Sequence, residues 1–201
     1  MVSHGKHYKY LPGDIDDYIP KKTIGQQVKR KMSKLLEITL QKLQQSTVDA
    51  FPDTKKRQHK SNTVNISQVK FLPYQKSNVL KVEGVATSGP NRYNCTMTFE
   101  DVYYEESDSN QVVSFKGVDD QSYHIHPLKN DVNDVKVKCT CMDFHYRFAQ
   151  ANYQADGLEG NPPPPYVKKT DRPDVNPETE PGMCKHLVKL KEHLTTINLL
   201  G

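Results

Sequence analysis

The chain has 201 residues and a mass of 23.0 kDa, enough for one domain with appendages or two small ones. With 26 % charged and 35 % hydrophobic residues, mean hydropathy −0.78 and a net charge of +4, wholesale disorder is not expected. No apolar run approaches the 18 or so residues of a bilayer span and no signal-peptide core follows Met1, so neither membrane insertion nor secretion is expected.

The charge is uneven. Residues 1–60 carry 13 Lys and Arg against 6 Asp and Glu, while residues 61–130 and 131–201 are slightly acidic. Residues 1–22 have no helical or strand period and read as an extended arm containing Pro12, Gly13 and Pro20. A helix is predicted over 23–47. Thr23 and Gln26 fit a capping box, and Ile24, Val28, Met32, Leu35, Leu36, Leu40 and Leu43 recur at steps of three and four as a packing stripe. Phe51-Pro52 ends it, and the loop to Lys60 is basic. Residues 61–134 read as a β region, with strands at Val64–Leu72, Val79–Thr87, Tyr93–Tyr104, Val112–Val118 and Tyr123–Leu128, and a further strand at Val135–Cys141. A turn is expected at Val118–Gln121. Strands that follow one another without helices predict an antiparallel meander. Tyr93, Cys95, Met97 and Phe99 share one face, which makes Cys95 a buried free thiol.

Residues 135–201 form the last module. Met142–Gln154 can make two helical turns, and seven prolines between 162 and 181 exclude helix or central strand from an insertion spanning 157–183. Leu187, Leu190, Leu194 and Ile197 mark an amphipathic C-terminal helix. The expected architecture is thus α+β: an N-terminal amphipathic helix, a central antiparallel sheet and a C-terminal hairpin-plus-helix module.

The chemistry lies in Cys139-Thr140-Cys141 and Cys184-Lys185-His186. On a strand, residues two apart point the same way, so Cys139 and Cys141 follow Val135 and Val137 on the inward face. Cys184 and His186 stand where a Pro-Gly turn enters a helix, whose N-terminal N–H groups favour a thiolate. Three Cys and one His are a complete tetrahedral set for Zn²⁺, a closed and therefore structural site. The alternative is three unrelated buried thiols and a surface His. A disulfide is the poorer reading, because the i, i+2 spacing on a strand suits no bridge.

This C-x-C…C-x-H pattern, with CMDF after the first pair and CKHL running into a helix, resembles the SWIM-type zinc finger. The resemblance covers about residues 123–195 and implies a small hairpin-plus-helix module with Cys139, Cys141, Cys184 and His186 as ligands, in proteins that bind DNA or other proteins. The stretch 142–183 is much longer than the spacers usual in that family. CTCMDFHYRFA with the Pro-rich loop and PGMCKHL is also similar to small structural proteins of tailed bacteriophages. That implies a non-enzymatic virion component of the head, neck or tail region, contacting other virion proteins or further copies of itself in a multi-subunit assembly; otherwise the location expected is cytoplasmic.

Nucleic-acid binding is the alternative, with Lys21, Lys22, Lys29, Arg30, Lys31, Lys34, Lys55, Lys56, Arg57 and Lys60 available to phosphates. His124 and His126 flank Ile125 and read as a solvated face. Asp143 or His145 is a candidate for orienting a metal ligand, and Phe144 and Phe148 for packing beneath it. No phosphate-binding, nucleophile-elbow or zinc-protease motif is present, so neither an enzyme nor a small-molecule substrate is expected.

Overall fold

A computed structural model describes residues 37–52, 59–164, 171 and 173–201, with the side chains of His59 and Lys60 excepted. The arm at 1–22, the predicted helix up to residue 36 with its capping box, and the basic residues Lys21, Lys22, Lys29, Arg30, Lys31, Lys34, Lys55, Lys56 and Arg57 lie outside the described residues, as does the Lys60 side chain. Among the described residues no helix is long and apolar enough to cross a membrane.

The helix expected over 23–47 is not continuous. Residues 37–39 are extended, and the Ile38 carbonyl accepts the Val135 N–H (2.8 Å). Thr39 then caps a helix, α1 (Leu40–Ala50), its hydroxyl accepting the Lys42 N–H at 3.3 Å. Two β-branched residues in succession thus serve a strand contact and a cap rather than a helix interior. Leu40, Leu43 and Thr47 are buried, so the part of the stripe within the described residues, Leu40 and Leu43, is a packing face as expected, and α1 ends at Phe51-Pro52.

The β region divides into two antiparallel sheets instead of one meander. β1 (Val64–Tyr74), β2 (Val79–Ser88) and β3 (Asn91–Phe99) are consecutive neighbours, and β7 (Val135–Cys139) pairs on the far side of β3. The second sheet holds β4 (Tyr104–Glu105), β5 (Val113–Lys116) and β6 (Ser122–Ile125) in the order β4-β6-β5. The strand expected at Tyr93–Tyr104 is cut because Asp101 takes the left-handed conformation (φ 55°), which a short polar side chain tolerates. The expected turn forms, with the Gly117 N–H on Gln121 O (2.9 Å) and Asp120 at φ 64°.

One face of the larger sheet is buried. Leu80, Val82 and Ala86 of β2, Cys95, Met97 and Phe99 of β3, and Val135, Val137 and Cys139 of β7 alternate inward. The C-terminal helix, α3 (Lys185–Thr196), crosses all four strands and buries Leu187, Leu190 and Leu194 there, each side chain contributing about 1.5–3 kcal/mol of burial. Gly84 permits this approach: a Cβ on it would stand 2.8 Å from Leu190 Cδ1. Ile197, expected on the same stripe, is instead 38 % exposed, because the helix stops at Thr196 and Asn198 turns left-handed (φ 59°). Leu199 and Leu200 are buried in its place. Their chain runs beside Leu128, whose N–H donates to Leu199 O (2.9 Å).

Candidate metal centre

Four elements converge on the two pairs. Cys139 closes β7, and the chain then bends through Cys141 into a helical stretch, Met142–Gln154. This consists of one α-helical step, a π-helix (Phe144–Phe148) and a short helix α2 (Ala149–Gln154). Cys141 acts as its cap: the Phe144 N–H donates to Cys141 Sγ (3.3 Å) and the His145 N–H to Cys141 O (3.0 Å). Cys184 is the N-cap of α3 and His186 lies in its first turn. Two helix starts therefore meet at one cluster of sulfurs, and the first of them donates a backbone N–H to Cys141.

Cys139, Cys141, Cys184 and His186 are all buried, with one ligand atom from each within 4.8 Å of the others. His186 Nδ1 is 3.9 Å from both Cys139 Sγ and Cys184 Sγ. Around a tetrahedral ion with sulfur at about 2.3 Å and nitrogen at about 2.0 Å, ligand atoms stand about 3.5–3.8 Å apart. The two 3.9 Å pairs need a few tenths of an ångström to close on an ion, and the widest separation in the set at most about 1 Å. The donor chemistry also favours a cation: three thiols and an imidazole are buried together. The four residues can hold a metal ion.

Without a cation the sulfurs share protons unequally. Hydrogen bonding among the sulfurs, from Cys139 first and Cys184 next, holds the Cys141 thiol far below its ordinary value. The bond to Cys141 pushes Cys139 up, and burial pushes Cys184 up. The helix start expected to favour a thiolate at Cys184 is outweighed by burial, for Cys184 makes no capping hydrogen bond. Cys141 receives that benefit instead, through Phe144 N–H.

The surroundings hold features the sequence did not reveal. Cys95 is a fifth participant: its thiol donates to Cys139 Sγ at 3.7 Å. The His186 ring stacks on Tyr93, with centroids 4.3 Å apart and planes inclined by 32°. The first contact depends on the pairing of β3 with β7 and the second on the packing of α3 against β3, neither of which a local pattern encodes. Phe144 and Phe148 are buried beside the cluster, as expected. Asp143 pairs with Arg147 (3.4 Å), and the His145 ring meets Tyr146 edge-on. His124 and His126 belong to the second sheet, bonded to Ser114 (2.8 Å) and Glu105 (2.9 Å).

Backbone clamps hold the approach to Cys184. Asn152, fully buried, accepts the Gly182 N–H (2.8 Å) and donates to Gly182 O (3.0 Å). Thr47 accepts the Met183 N–H (2.9 Å) while donating to Leu43 O (2.7 Å). Asn176 bridges Arg147 O, Glu180 O and Glu180 N–H. Earlier in the excursion, Gly157 O and the Glu159 N–H both bond to Val137, extending the sheet beyond β7.

Compared with known proteins, the chain matches no family model, its sequence finds no match among curated proteins, and its fold finds none among solved structures.

Proposed function

We propose that Cys139, Cys141, Cys184 and His186 bind one Zn²⁺ as a structural ion, and that the protein is a non-catalytic assembly component. The observation that carries the zinc reading is the burial of a complete three-sulfur, one-nitrogen set within a 4.8 Å span. Thiolate-rich tetrahedral donors select zinc over the hard cations, which prefer oxygen. Four protein ligands leave no position for a reactive water, so the ion links β7 to α3 and performs no hydrolysis. The assembly role rests on the SWIM-like pattern and the likeness to small structural proteins of tailed bacteriophages, which favour a virion component that contacts other virion proteins or its own copies.

Native mass spectrometry with elemental analysis tests the metal: one zinc per chain is expected, with a lower melting temperature after chelation. Metal-free protein that melts identically with and without chelator would overturn the zinc reading. Co-purification with intact particles at fixed stoichiometry tests the assembly role, and a chain found only in free form would refute it.

A further inference from the structure

Cys95 and Cys139 stand directly opposite each other on β3 and β7. Positions along an antiparallel ladder alternate between hydrogen-bonded and non-hydrogen-bonded pairs. The Thr140 N–H donates to Asn94 O (3.0 Å), and the Glu100 N–H donates to Asp134 O (2.9 Å). These pairs occupy the hydrogen-bonded positions, so Cys95 and Cys139, one step along from Asn94 and Thr140, occupy a non-hydrogen-bonded one. There the Cα atoms lie about 4.5 Å apart and the side chains lean together, inside the range of about 4.4–6.8 Å that a disulfide spans. The two sulfurs are already 3.7 Å apart. No strand shift is needed to join them. Cys141 lies past the end of β7, where the chain bends into the helical stretch, and so faces no strand partner in this way.

A cavity of about 150 Å³ borders Cys139, between β7, the π-helix and the Asn161–Pro163 stretch. It has room for molecules the size of water, each about 30 Å³ in the liquid. Hydrogen peroxide is of that size.

We propose that Cys95 is the resolving thiol of a peroxide-responsive switch at the metal centre, completing the oxidation of Cys139 as a cross-strand disulfide that withdraws one ligand and releases the ion. This rests on the metal reading above. In the first step Cys139 sulfur attacks peroxide: an S–O bond forms, the O–O bond breaks, and the departing hydroxide takes up a proton as water. In the second, Cys95 sulfur attacks the sulfenic sulfur: the S–S bond forms, the S–O bond breaks, and hydroxide leaves with the Cys95 proton as a second water. Two thiols are oxidised by two electrons and one peroxide is reduced to two waters. Thiol reductants reverse the bond.

The test uses the full, zinc-loaded chain. It is treated with equimolar hydrogen peroxide, released zinc is read with a chromogenic chelator, and disulfides are mapped by peptide mass spectrometry after alkylation. The expected result is release of the bound zinc together with a Cys95–Cys139 linkage, and recovery of metal binding after reduction. Cys95→Ala is loaded with zinc and its recovery is read against its own zinc content before oxidation. After treatment with several-fold excess peroxide it should recover at most about a tenth of its metal on reduction, because an unresolved sulfenic acid is carried to sulfinic acid by a second peroxide. Linkage of Cys139 to Cys141 or Cys184 with Cys95 still alkylatable would overturn the proposal, and so would full recovery by Cys95→Ala. The mapping on unmutated protein decides the pairing even if the variant folds poorly. A chain that holds no zinc before treatment defeats the metal reading alone, since the same mapping on that protein still shows which sulfurs join.

Discussion

Asn152→Ala probes whether the clamp at Gly182 organises the metal centre. The wild-type side chain satisfies both backbone groups of a buried glycine two residues before Cys184. Alanine leaves that N–H and that carbonyl in the interior without partners. Each orphaned group costs about 1–3 kcal/mol, so the variant should lose about 2–5 kcal/mol, a large share of an ordinary domain's stability of about 5–15 kcal/mol. Urea unfolding measures this in apoprotein and in zinc-loaded protein. The loss should be greater with zinc present, because bound metal stabilises the fold in proportion to its affinity and the loosened Cys184 and His186 bind it more weakly. A competition titration should show the weaker affinity with stoichiometry unchanged. Asn152→Asp retains the acceptor for the Gly182 N–H and regains a donor only when protonated, so its deficit should narrow as pH falls. An Asn152→Ala protein within about 0.5 kcal/mol of wild type, the range of an inconsequential surface change, would refute the reasoning.

Gly182→Ala should cost about 1–3 kcal/mol by overpacking, since its Cβ would stand 2.6 Å from Phe148 Cε1 and closer still to Thr47 Oγ1; an unchanged thermal melt would mean that α1 yields freely there. Asp134→Asn should raise the melting temperature at pH 7. Burial first, and then Glu37, Glu100 and Asp101, push the Asp134 carboxyl above its ordinary value of 3.8. The folded protein therefore binds this proton more tightly than the unfolded chain, and ionisation costs stability above the raised value. The advantage of Asn should shrink as pH falls through that value, and an equal advantage at pH 7 and pH 3.5 would contradict the assignment.

The elements that local physics governs were legible. Alternating apolar residues gave β2, β3 and β7, whose burial has period two, and the three-and-four spacing of Leu187, Leu190 and Leu194 gave α3. What failed was wherever one residue's backbone overrode a pattern. Asp101 turned left-handed and ended a strand that hydrophobicity would have continued, Thr39 capped a helix that the leucine spacing would have run through, and Asn198 turned the chain so that Leu199 and Leu200 displaced Ile197. The placement of β7 beside β3, with the second sheet looped out between them, is a contact across some forty residues that no window of sequence contains.

The cluster that can hold a metal was legible because donor chemistry is local: the C-x-C and C-x-H steps supply a complete four-donor set by themselves. Its supporting atoms were not, since Cys95, Tyr93, Thr47 and Asn152 matter only through register or packing. This changes what the ion has to do. Residue spacing alone assigns the closing of the 142–183 excursion to the metal. In the fold, closure is divided between Gly157 and Glu159 on Val137, Asn176 around Arg147 and Glu180, and the paired clamps on Gly182 and Met183. Those neutral hydrogen bonds, with the buried leucines of α3, hold the described residues around Cys184 in place without calling on an ion. An ion bound as proposed would meet a set of donors largely in place, and more of its binding energy would appear as affinity than be spent on ordering chain.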